Sequence, residues 1–195
     1  MRKLGLTMVA ILMVALTYAQ TANWGFDQSH SNVRFSVSHM VISEVEGNFT
    51  DFEGTVTSNK ADFSDASIVF SIIVGSIDTD DEKRDEHLRG GDFFNVEKFP
   101  TIKFKSTSME KVGDNKFKVT GDFTMLSVTK EVTFDVKYGG TIKDPWGNTK
   151  AGFKVTGTID RTDWGLKYNS TMDTGGVMIG EDVDIVCNFE LIKIQ

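Results

Sequence analysis

Apolar and polar residues alternate with a period of two along the chain from Trp24 onward. This period is typical of β-strands with one buried face, because successive side chains of a strand point to opposite sides of the sheet. The alternating segments are 33–39, 68–73, 102–106, 117–123, 132–138, 153–159 and 183–191. Turn sequences such as Gly139-Gly140 and Gly175-Gly176 separate them, and no linker interrupts the series. The pattern predicts one all-β domain of antiparallel strands, either a barrel or a sandwich.

Glycines inside the predicted strands favour the barrel. Gly47, Gly54, Gly121 and Gly157 each lie in or beside such a segment, and a glycine within a strand often marks a bulge or a sharp bend. Because a closed barrel needs strongly curved strands, we expect an antiparallel β-barrel of about eight strands. A barrel of this size is either filled by its own side chains or holds one small ligand. The periodicity leaves both alternatives open.

One segment does not alternate. Residues 80–89 are polar and rich in helix-forming residues, and Gly90-Gly91 follows them. The candidate N-caps are Asp78, Thr79 and Asp80, and acidic residues in the first turn suit the helix dipole. The segment predicts one short surface helix near residues 80–90, beside one mouth of the barrel.

Residues 1–19 have the composition of a secretory signal peptide. Positive charge at Arg2-Lys3 precedes a mostly apolar run over residues 4–16, and small residues stand before the predicted cleavage point. The apolar run is shorter than the roughly 20 residues that span a bilayer. We expect cleavage at Ala19-Gln20, which leaves a mature domain of residues 20–195 in the periplasm or outside the cell.

Charge and cysteine content exclude several classes of function. The net charge of −7 argues against nucleic-acid binding, which needs a basic surface. Cys187 is the only cysteine, so an internal disulfide and a multi-thiolate metal site are excluded. It alternates with the apolar residues of the last predicted strand, and we therefore expect a buried, unreactive thiol.

Catalytic signatures are absent from the sequence, which has no phosphate-binding loop and no nucleophile-elbow motif. The histidines are His30, His39 and His87, and their spacing matches no local metal-binding motif. His39 ends the segment 33–39 on its apolar face. It is either a hydrogen-bonded core imidazole or a polar group that orients a ligand in an apolar cavity.

Several short motifs stand in a fixed order along the chain. They are Asp27-x-x-His30-Ser31-x-Val33-x-Phe35-Ser36-Val37-x-His39-Met40, Gly47-x-Phe49-x-x-Phe52-x-Gly54, Ser76-Ile77-Asp78-Thr79, Arg84-Asp85-x-His87-Leu88, Asp92-Phe93-Phe94, Phe99-Pro100-Thr101-Ile102-x-Phe104, Gly121-Asp122-Phe123-Thr124, Val128-Thr129-Lys130 and Arg161-x-Asp163-Trp164-Gly165. In this order and spacing they resemble the YceI-like family over residues 24–192.

The resemblance implies a lipocalin-like barrel with an elongated apolar cavity. It also implies a secreted or periplasmic protein that binds polyisoprenoid or other long amphiphilic lipids, including isoprenoid quinones, and that is not an enzyme. One turn departs from the family pattern, with Leu126, Ser127 and Glu131 around Val128-Thr129-Lys130. We expect this departure to reshape one mouth of the barrel.

Together, the inward faces and the resemblance predict a ligand-binding set. Its members are Phe35, Val37, His39, Met40, Phe49, Phe52, Arg84, His87, Phe94, Phe104, Phe123, Phe134 and Phe153. His39, Arg84 and His87 are the candidates for holding a polar head. Because acidic residues flank Arg84, we expect them to occupy its charge, and we therefore expect a neutral or weakly polar head. No cofactor other than a bound lipid or quinone, and no metal, is expected.

Two other functions compete with lipid binding. One is a barrel enzyme, a hydrolase or isomerase, that uses Asp85 or Asp27 with a histidine or a metal as its catalytic site. The other is a filled barrel that serves as an interaction module. We also expect transient contact with membranes and none with nucleic acid, and a homodimer is left open.

Overall fold

A computed structural model describes residues 21–171 and 177–194. The predicted signal peptide and the Gly175-Gly176 turn lie outside the described residues. The strands are β1 (Ala22–Phe26), β2 (Asn32–His39), β3 (Ser43–Phe49), β4 (Phe52–Ser58), β5 (Ser67–Ile73), β6 (Ile77–Asp78), β7 (Thr101–Gly113), β8 (Lys116–Met125), β9 (Val128–Lys143), β10 (Thr149–Asp160) and β11 (Ile179–Ile194). The helix α1 (Glu82–Arg89) lies between β6 and β7, and short 3₁₀ helices cover Val74–Ser76 and Arg161–Trp164.

The strands close into an eight-stranded antiparallel barrel. The ring runs in the order β1, β4, β5, β7, β8, β9, β10 and β11, and β11 pairs back to β1. The first half of β11 pairs instead with β2, which pairs with β3. Thus β1 and β2 are two parts of one interrupted strand that pairs with β11. In the same way, β4 pairs with β1 and β3 pairs with β2, so β4 and β3 form the next interrupted strand of the sheet. The predicted all-β barrel with one short helix is confirmed.

The bulge between Ser106 and Ser108 lies opposite Gly121, which is one of the four glycines named in the sequence prediction. Another bulge falls at a strand glycine, between Gly152 and Phe153. At each of the four predicted glycines, a phenylalanine ring lies where a side chain would be. A Cβ on Gly157 would stand 2.5 Å from the ring of Phe134, and a Cβ on Gly121 would stand 2.7 Å from the ring of Phe104. These glycines leave room for rings that project into the barrel.

The helix α1 begins at Glu82, two residues after the start of the predicted segment, and none of the three predicted N-cap candidates is its N-cap. Its N-cap is Asp81, whose carboxylate accepts a hydrogen bond from the backbone N–H of Arg84 at 2.9 Å. Arg89 anchors the last turn by donating from Nε to the carbonyl of Gly75 and from Nη2 to that of Ile77. Within the described ranges, no helix combines the length and apolar character that a membrane crossing requires.

The segment between β4 and β5 closes one end of the barrel, which we call the far end. Phe63 is only 1% exposed and packs against Trp24, with ring centroids 5.1 Å apart. Asp65 holds the segment in place, because its carboxylate accepts hydrogen bonds from Ser58 Oγ at 2.6 Å and from the backbone N–H of Lys60 at 3.1 Å. The hydrogen bond from Ser58 leads the interactions that lower the pKa of Asp65 to about 2.

Candidate functional site

A cavity of about 420 Å³ occupies the interior of the barrel. This is within the range of about 300–1,000 Å³ that is usual for small-molecule sites. Its wall is almost entirely apolar and includes Phe26, Val33, Ile68, Phe70, Ile102, Met109, Val119, Met125, Val136, Val155, Ile159, Val183, Ile185, Cys187, Phe189 and Leu191. The barrel is therefore hollow, and the filled-barrel alternative does not describe it.

The burial of the inward-facing side chains agrees with this empty interior. Phe35, Val155, Ile185 and Phe189 face the barrel axis, yet each is only partly buried. In a close-packed interior such residues would be almost completely covered. Their uncovered surface borders the cavity, where a bound apolar molecule would remove it from contact with water.

The end of the barrel opposite Phe63 is open, and we call it the mouth. His87 and Tyr168 line the cavity there and are exposed to solvent. They form an aromatic cluster with Phe93, with centroid distances of 4.9 Å between His87 and Tyr168 and 4.8 Å between Phe93 and Tyr168. Polar groups therefore lie at the mouth, whereas the far end is apolar.

The structure places most of the predicted binding residues in the cavity wall. These are Phe35, Val37, His39, Phe49, Arg84, His87, Phe94, Phe104, Phe123, Phe134 and Phe153. Phe52 is fully buried against Phe26 and Phe70 but does not line the cavity. Met40 is also outside the wall, because it belongs to the β2–β3 turn, where a backbone φ of 53° ends the alternation of the strand.

Arg84 forms no direct salt bridge with the flanking acidic residues that were expected from the sequence to occupy its charge, although its backbone N–H and its charge both help to lower the pKa of Asp81. Its guanidinium donates from Nε to Thr79 Oγ1 at 2.8 Å and from Nη2 to the Thr79 carbonyl at 2.7 Å. Asp85 accepts from the N–H and hydroxyl of the same threonine, and Asp81 caps the helix. No acid in the described part of the chain forms a salt bridge with Arg84, so a positive charge lies in the cavity wall.

Two further cationic residues of the wall, Arg34 and Arg161, were not predicted. Arg161 is 4% exposed, and its guanidinium donates to the backbone carbonyls of Gly180 at 2.7 Å, Ile179 at 3.3 Å and Leu166. Burial lowers the pKa of Arg161 below its usual value. Its only signal in the sequence is the motif Arg161-x-Asp163-Trp164-Gly165, which does not show that the side chain faces a cavity.

His39 lies in the wall near the mouth, on the face that its position in the strand predicted. Its ring makes no hydrogen bond to another described residue, which favours the second of its two interpretations, a polar group that faces a ligand. His87 is held differently, because its Nε2 lies 3.2 Å from a carboxylate oxygen of Asp92.

The residues of the enzyme alternative do not meet in the cavity. Asp27 and His30 are in contact at 2.9 Å, but they lie beside Glu190, outside the cavity wall. The Lys150 ammonium stands 2.9 Å from Asp27 and 2.6 Å from Glu190, where a metal ion would otherwise bind. Burial opposes ionisation of Asp27, but hydrogen bonds from Ser29, Lys150 and His30 outweigh it and hold the pKa of Asp27 well below its usual range.

The sequence matches the profile of the YceI-like domain over residues 24–191. The chain belongs to the YceI-like family. It is 41% identical over 169 residues to a UPF0312 protein of Staphylococcus aureus, an alignment that covers 86% of this chain and 96% of the relative.

Solved structures of similar fold include other YceI proteins. The YceI protein of Campylobacter jejuni superimposes with a TM-score of 0.70 at 29% identity, covering 81% of this chain and 90% of that one. BcnA of Burkholderia cenocepacia gives a TM-score of 0.74 at 24% identity, covering 85% and 98%. A polyisoprenoid binding domain from Saccharophagus degradans shares the fold, with a TM-score of 0.66 at 12% identity, covering 88% and 98%.

The turn that departs from the YceI-like pattern lies at the mouth. Leu126 and Ser127 join β8 to β9 with backbone φ values of 49° and 64°. Two positive φ values in succession are the geometry of a tight two-residue hairpin turn. Leu126 packs partly against the core of the barrel and does not line the cavity.

Proposed function

We propose that this YceI-like protein is an exported carrier that holds a long amphiphilic isoprenoid lipid in its barrel. The observation that carries the proposal is the cavity, which is apolar along its length, closed by Phe63 at one end and lined by cations and histidines at the other. An amphiphile with an apolar tail and a polar head matches this cavity, because both are apolar at one end and polar at the other.

The tail accounts for most of the affinity in this proposal. Removal of apolar surface from water contributes roughly 25 cal/mol per Å², and the half-buried phenylalanine and aliphatic side chains of the wall supply such surface on the protein side. The tail therefore points toward Phe63, and the head stays near His39 and Arg84.

We further propose that the head is anionic, as in an isoprenyl phosphate. Neither Arg84 nor Arg161 forms a salt bridge with a described acidic residue, and a phosphate in the cavity would supply a directly bound anion to either guanidinium. The planar fork of an arginine matches two phosphate oxygens. A quinone head, which would fit the neutral or weakly polar head expected from the sequence, needs only a hydrogen-bond donor such as His39.

Native mass spectrometry of the protein purified from its own host tests the carrier function. A co-purifying lipid mass that is chemically unchanged supports a carrier, whereas a hydrolysed or rearranged product supports the enzyme alternative. N-terminal sequencing of the same sample tests export, because the proposal requires a mature chain that begins at Gln20. A chain that begins at Met1 contradicts it.

The head is tested by titrating farnesyl phosphate and a farnesylated benzoquinone, which share one tail. The phosphate should bind more tightly, and its affinity should fall as ionic strength rises past about 0.1 M, where the Debye length is about 10 Å. Arg84→Gln should weaken the phosphate at least about tenfold and leave the quinone unchanged. Lys83→Gln is the matched control, because Lys83 is exposed on the same helix and does not line the cavity. Tighter, salt-independent quinone binding would refute an anionic head.

A further inference from the structure

The turn between β2 and β3 has a conformation that its residues do not favour. Its backbone closes with a hydrogen bond from the N–H of Ile42 to the carbonyl of His39 at 3.3 Å. The two central residues, Met40 and Val41, have φ values of 53° and 64°. Such turns normally contain Asn-Gly, because a β-branched residue is strained at positive φ. Strain of this kind is often found at functional sites.

The same turn exposes its apolar side chains to solvent. Val41 is 73% exposed and Ile42 is 87% exposed, and Met40 beside them is also exposed. Three consecutive exposed apolar residues do not help the barrel to fold, and they reduce its solubility in water. Strain and exposure at one turn therefore indicate a surface that contacts something apolar.

This apolar surface is continuous with the mouth of the cavity. The N–H of Met40 donates to the carbonyl of Met178 at 2.7 Å, and Met178 lines the cavity. Val177, which precedes Met178 in the chain, and Tyr168, which also lines the cavity, are exposed apolar residues at the mouth. We call the residues Met40, Val41, Ile42, Tyr168 and Val177 the apolar rim.

We infer that the apolar rim inserts into a lipid bilayer, so that an isoprenoid passes from the membrane into the cavity without crossing water. The inference rests on the proposed function. A bilayer suits the rim better than a protein does, because a hairpin tip is convex and small, whereas a stable protein interface buries at least about 1,000 Å². Lipid needs no complementary shape, and insertion strength depends on the apolar area buried.

The charges near the rim determine which lipid it contacts. Glu44, Glu181 and Asp182 are exposed on the strands that lead to it and outnumber the exposed Lys167 beside Tyr168, and the whole chain carries a net charge of −7. These charges repel an anionic membrane. Binding should therefore occur on zwitterionic lipid and should not depend on basic residues.

The far end supplies an internal control. Trp146 in the β9–β10 turn is 82% exposed and Ile142 at the end of β9 is 65% exposed, and neither lines the cavity. If this end of the barrel bound a membrane, the mouth of the cavity would face away from the lipid, and no ligand could pass directly from the membrane into the cavity. Substitutions at this turn should therefore leave rim binding unchanged.

The test is co-sedimentation of the mature protein with phosphatidylcholine vesicles. Val41→Asn combined with Ile42→Ser removes two apolar side chains, and asparagine suits the positive φ of position 41, so the variant should fold at least as well as the wild type. Its partition coefficient should fall by about tenfold per side chain. Trp146→Ser combined with Ile142→Ser should bind vesicles as the wild type does. Titration of both variants with farnesyl phosphate should show unchanged affinity.

Each contrary outcome has a distinct meaning. If the wild type binds farnesyl phosphate but not vesicles, the rim inference fails and the carrier function stands. If it binds vesicles but not farnesyl phosphate, the carrier function fails. Loss of vesicle binding in the Trp146 variant, binding only to anionic vesicles, or a dimer that dissociates in the Val41 variant each overturns the rim inference.

Discussion

The contact between Gly157 and Phe134 predicts a specific effect of adding a single methyl group. In Gly157→Ala the new Cβ would stand 2.5 Å from Cδ1 and 3.1 Å from Cε1 of the Phe134 ring. Ordinary contact between carbon atoms begins near 3.5 Å, so the ring must move by about 1 Å. Because Phe134 borders the cavity, the ring will move into that space.

The size of the effect follows from two opposing terms. Adding volume at a well-packed position destabilises a protein by about 1–3 kcal/mol. Replacing glycine by alanine also restricts the unfolded chain, which stabilises the protein by about 0.4–1 kcal/mol. The net loss should be about 1–2 kcal/mol, and Tm should fall by roughly 2–8 °C for a chain of this length. The displaced ring should also weaken farnesyl phosphate binding.

Gly152→Ala on the same strand is the matched control. A Cβ at Gly152 would have no heavy atom within 4 Å. Only the stabilisation from the restricted unfolded chain then remains, and Tm should stay the same or rise. Thermal unfolding followed by circular dichroism measures both variants, and titration measures the ligand. A Gly157→Ala protein as stable as Gly152→Ala would refute the idea that this glycine is required by the ring of Phe134.

Three further predictions follow from the cavity and from buried ionisable groups. Val37→Trp should abolish farnesyl phosphate binding yet change the free energy of unfolding in urea by less than about 1 kcal/mol, since the cavity accepts the ring; a loss of about 1–3 kcal/mol with binding intact would contradict a usable cavity. Because the folded pKa of Asp27 lies below its usual 3.8, its stabilisation is present above about pH 4 and is lost as pH falls toward the folded pKa. As the pH falls from 6 to 3, the urea midpoint should therefore fall more for the wild type than for Asp27→Asn. An equal fall in the two proteins would contradict a stabilising role of the Asp27 carboxylate. Burial raises the pKa of the Cys187 thiol to about 12, so a disulfide reagent at pH 8 should react only after unfolding, and rapid reaction of the folded protein would show that the thiol is accessible.

Strand periodicity predicted the barrel and most of the cavity wall for a geometric reason. Because side chains alternate across a strand, the positions of Phe35 and Phe153 in the sequence already place both on an inner face. The same rule could not show that the interior is hollow, since a packed core has the same pattern.

The errors arise where three-dimensional contacts decide the outcome. The partner of Arg84 is Thr79, and no helical spacing predicts it, because Thr79 precedes the helix. The pairing of Gly157 with Phe134 depends on the register between two strands, which the sequence does not reveal. Arg161 was missed because its partners are backbone carbonyls of other segments.

The closed far end has a kinetic consequence for any tail held in the cavity. Among the described residues, Phe63 closes the end of the cavity opposite the mouth, so departure requires the inserted tail to be withdrawn through the mouth. Each methylene that leaves the wall costs about 0.8 kcal/mol, which corresponds to a roughly fourfold slower departure. Residence time therefore rises geometrically with inserted length until the tail reaches Phe63, and longer chains gain nothing more. The position of the Phe63 ring therefore sets the tail length beyond which a longer isoprenoid has no longer residence time.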